Sequence, residues 1–77
     1  MSQFNVSEET KTQLLNDRIN ALNLEGYQHE LNLKSFELAG KSETPEAEAT
    51  RESIAIIKNA IEIHEEELGN VVLPSSN

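Results

Sequence analysis

The sequence predicts an all-α protein, an antiparallel hairpin of two helices that self-associates into a helical bundle. Three observations carry that expectation. Apolar residues recur three and four positions apart along two long segments. A short segment between them, GKSETPE, contains both a helix stop and a helix start. Finally, each segment carries more apolar surface than one partner helix can cover, so a second surface has to cover the rest.

The first six residues read as a flexible lead. Ser7 then offers a capping hydroxyl, and Glu8 and Glu9 follow it at the positive end of the helix dipole. Leu15, Ile19, Leu22, Leu33 and Phe36 form one seam, with Gly26 and His29 in the same register. A continuous helix over 8–39 is expected, about 32 residues and roughly 48 Å long. Gly26 is its weak point, costing near 1 kcal/mol relative to alanine and inviting a break or kink.

Gly40 suits the left-handed residue that ends a helix. Thr44, Pro45 and Glu46 then supply a cap, a first-turn proline and a carboxylate at the dipole's positive end. The second helix is expected over 45–68, closed by Gly69. A linker this short favours antiparallel neighbours. Residues 70–77, NVVLPSSN, are too few for another helix and read as a second flexible end whose Val71, Val72 and Leu73 could pack extended. The whole chain, 1–77, is read as one domain without internal repeats.

The second helix has a seam at Ala47, Ile54, Ile57, Ile61, His64 and Leu68. About 120° around the helix lies a second one, Ala49, Ile56, Ala60 and Ile63. In the first helix the second seam begins with Asn16, Asn20 and Asn23 and turns apolar at Leu24, Tyr27, Leu31 and Leu38, nearly opposite Leu33 and Phe36. The expected oligomer interface is therefore Leu24, Tyr27, Leu31, Leu38, Ile56, Ala60 and Ile63. The competing reading leaves these side chains exposed singly, shielded by the stems of Lys34, Arg51 and Lys58. The first two turns of helix one also overhang, leaving Leu14 and Leu15 to be covered by the tail or a neighbour.

Size points the same way. A 77-residue chain is small for an independent core, and without cysteine it has no disulfide to compensate. Oligomerisation, to a dimer or higher, is the natural route. The net charge of −8 argues against direct binding to nucleic acid, and there is no apolar run of membrane-spanning length and no signal peptide. A soluble, cytoplasmic protein is expected.

Chemistry finds little purchase. Bundle metal sites place a glutamate three residues before a histidine, but Ile61 precedes His64 and Gly26 precedes His29 at that spacing. No cysteine nucleophile, phosphate-cradling loop or nucleophile–base spacing occurs, so no catalytic, cofactor or metal site is expected. The acidic run Glu62, Glu65, Glu66 and Glu67 sits at the negative end of its helix, where it opposes the dipole. Such a patch suits a basic partner protein. Two functional classes follow: a structural or assembly protein acting as a homo-oligomeric bundle, or an acidic inhibitor or nucleic-acid mimic. Small helical hairpins among assembly factors, inhibitors and bacteriophage accessory proteins look broadly similar, a likeness of architecture that assigns no function.

Overall fold

The computed structural model describes residues 4–71. Two helices, α1 (Glu8–Leu38) and α2 (Pro45–Gly69), pack against each other, and no strand occurs among the described residues. At about 1.5 Å per residue they are roughly 46 and 37 Å long, so the hairpin is a thin rod, 53 × 22 × 16 Å.

The local signals act as their chemistry dictates. Ser7 is extended and accepts a hydrogen bond from the Thr10 amide, capping α1. At the other end Gly40 has φ of 72°. The Lys41 amide donates to the Phe36 carbonyl at 2.8 Å and the Gly40 amide to Glu37 at 3.1 Å, the paired bonds of a Schellman stop. Thr44 then caps α2, accepting from the Ala47 amide and donating its own hydroxyl proton to the Lys41 carbonyl. Arg51 reaches back to donate to the Ser42 carbonyl at 2.7 Å, tying the linker to the helix it precedes.

The expected continuous helix is found: α1 passes through Gly26 unbroken. Its missing side chain leaves room for α2, since a Cβ at Gly26 would stand 3.4 Å from Ile57 Cγ2. Gly69 is the last residue of α2 and not its left-handed terminator. Asn70 caps with φ of −91°, and the Asn70 and Val71 amides close the end on the Glu67 and Leu68 carbonyls. Of the lead, the described Phe4 and Val6 line a hollow beside Val71.

The interhelical seam follows the three-and-four spacing. On α1 the half-buried positions include Leu15, Ile19, Leu22, Gly26, His29, Leu33 and Phe36. On α2 they include Ile54, Ile61, His64 and Leu68 around the buried Ala47 and Ile57. Only those last two are buried among the described residues. Two cylinders touch along a line, so most seam residues keep one side in water.

Candidate functional site

The sequence-derived interface residues stand outside that seam. Leu38 keeps 90% of its surface exposed, Ile56 67%, Ile63 62%, Leu24 61%, Tyr27 57% and Leu31 45%. Ala60 is half-buried, at the edge of the seam. Of the long basic side chains, Arg51 is engaged by Ser42 and Glu48, and Lys34 and Lys58 are exposed.

Helical geometry shows how the exposed residues are arranged. A shallow groove on one flank of the hairpin is lined by Asn23, Tyr27 and Glu30 of α1 and by Ile54, Lys58 and Ile61 of α2. Leu24, Leu31 and Leu38 lie within about 60° of Tyr27 around α1, so that stripe covers the outer back of α1 and leans to the groove flank. Lys58 marks the same flank on α2. Ile56, Ala60 and Ile63 are turned about 140–160° from Lys58, hence to the other flank. The two apolar stripes therefore face opposite sides of the rod and do not merge into one patch. No spacing within a single helix could show this, because it depends on which face each helix gives to its neighbour.

The acidic residues divide in a similar way. Glu62, Glu65, Glu66 and Glu67 are all exposed, and among the described residues none of them pairs with a cation. Glu62 and Glu65 lie within about 40° of Lys58, on the groove flank, and Glu66 stands about 80° from it. Glu67 turns about 180° away, where it joins Glu8, Lys11 and Asn70 around the terminal hollow. A basic partner would thus meet three glutamates together and a fourth apart.

That hollow is an open recess where the longer α1 overhangs α2. Phe4, Val6, Leu14, Leu15 and Val71 give it an apolar floor. Tail residues Val72 and Leu73, read as partners for this region, lie outside the described residues.

His64 is on the seam, not in a ligand set. Its Nδ1 is 2.6 Å from the Ala60 carbonyl oxygen. A carbonyl only accepts, so Nδ1 carries a proton and donates. His29 lies on the facing seam of α1. Among the described residues no three His, Cys, Asp or Glu gather closely enough to hold a metal ion. No described helix is long and apolar enough to cross a membrane.

No protein-family model, curated protein or solved structure matches this chain. Its function must be argued from its own surface.

Proposed function

We propose that this chain is a non-enzymatic structural or assembly protein that works as a homo-oligomeric helical bundle. One observation carries the reading: after the hairpin has closed, Leu24, Tyr27, Leu31, Leu38, Ile56 and Ile63 are still exposed, and they form stripes instead of scattered points. Burying a leucine or isoleucine side chain is worth about 1.5–3 kcal/mol, and with two buried residues among those described most of that gain is untaken. Sedimentation equilibrium through the micromolar range tests the reading directly. An associating species is expected; a well-folded monomer throughout would remove the proposal.

A second reading has its own support in the exposed Glu62, Glu65 and Glu66 at the carboxyl end of α2, where their charge opposes the dipole. Here the chain would act as an acidic inhibitor or nucleic-acid mimic held by a basic protein. Replacing Glu62, Glu65, Glu66 and Glu67 by glutamine should then abolish salt-sensitive capture of that protein, with helicity unchanged or slightly raised. Undiminished capture by the glutamine variant would reduce the patch to a solubility feature.

A further inference from the structure

We draw no further inference here: the strongest candidate, the pair of exposed apolar stripes at Leu24, Leu31 and Leu38 on α1 and at Ile56 and Ile63 on α2, carries nothing beyond the proposal above, because nothing in the structure shows what covers either stripe.

Discussion

Gly26 and Ile57 are the most instructive pair in the molecule. Ile57 is 7% exposed and stands over the bare backbone of Gly26. Glycine costs helix stability, yet at this position it leaves room for a side chain of α2. A methyl group added at Gly26 would stand 3.4 Å from Ile57, which is still ordinary contact. Gly26→Ala should therefore stabilise by up to about 1 kcal/mol through backbone entropy alone. Thermal unfolding should show a Tm raised by about 4–8 °C for each kcal/mol gained. Gly26→Leu should lower it, since three further carbons have nowhere to go but between the helices. A lower Tm for the alanine variant would mean that the contact with Ile57 is already tight.

At the scale of the element, helix boundaries are decided by a few hydrogen bonds. Thr44 makes two of them, accepting from Ala47 and donating to Lys41. Thr44→Ala should cost about 1 kcal/mol, Thr44→Ser much less, and thermal melts of the two variants measure the difference. The carboxyl end of α2 has no such device. Its last turn is acidic, with no basic residue, and it closes on backbone bonds from Asn70 and Val71. Most element boundaries were legible in the sequence, because caps act on residues three or four positions away. The role of Gly69 was not. Glycine is equally content inside a last turn or just past it, and here the backbone of Asn70 and Val71 decides between the two.

For the whole molecule, the contrast between Ile61 and Ile63 separates folding from assembly. Ile61 lies on the seam and Ile63 outside it. An aspartate at 61 would bring an unpaired carboxylate into the interhelical contact at a cost of several kcal/mol. Ile61→Asp should thus lose its helical circular dichroism, whereas Ile63→Asp should keep it and lose association. Equal loss of helicity in both would indicate that folding and assembly are a single event, as in obligate oligomers.

The sequence by itself determined the two helices, their caps, the antiparallel turn and the residues of the seam between them. Each of those depends on interactions a few residues apart, or on a periodicity that any helix must obey. It also marked Leu24, Tyr27, Leu31, Leu38, Ile56 and Ile63 as apolar surface in excess of one hairpin's needs. Only the tertiary structure decided that the two excess stripes face opposite sides and that Ile57 packs over Gly26. Those facts depend on the rotation of one helix relative to the other, which no pattern within a single helix contains.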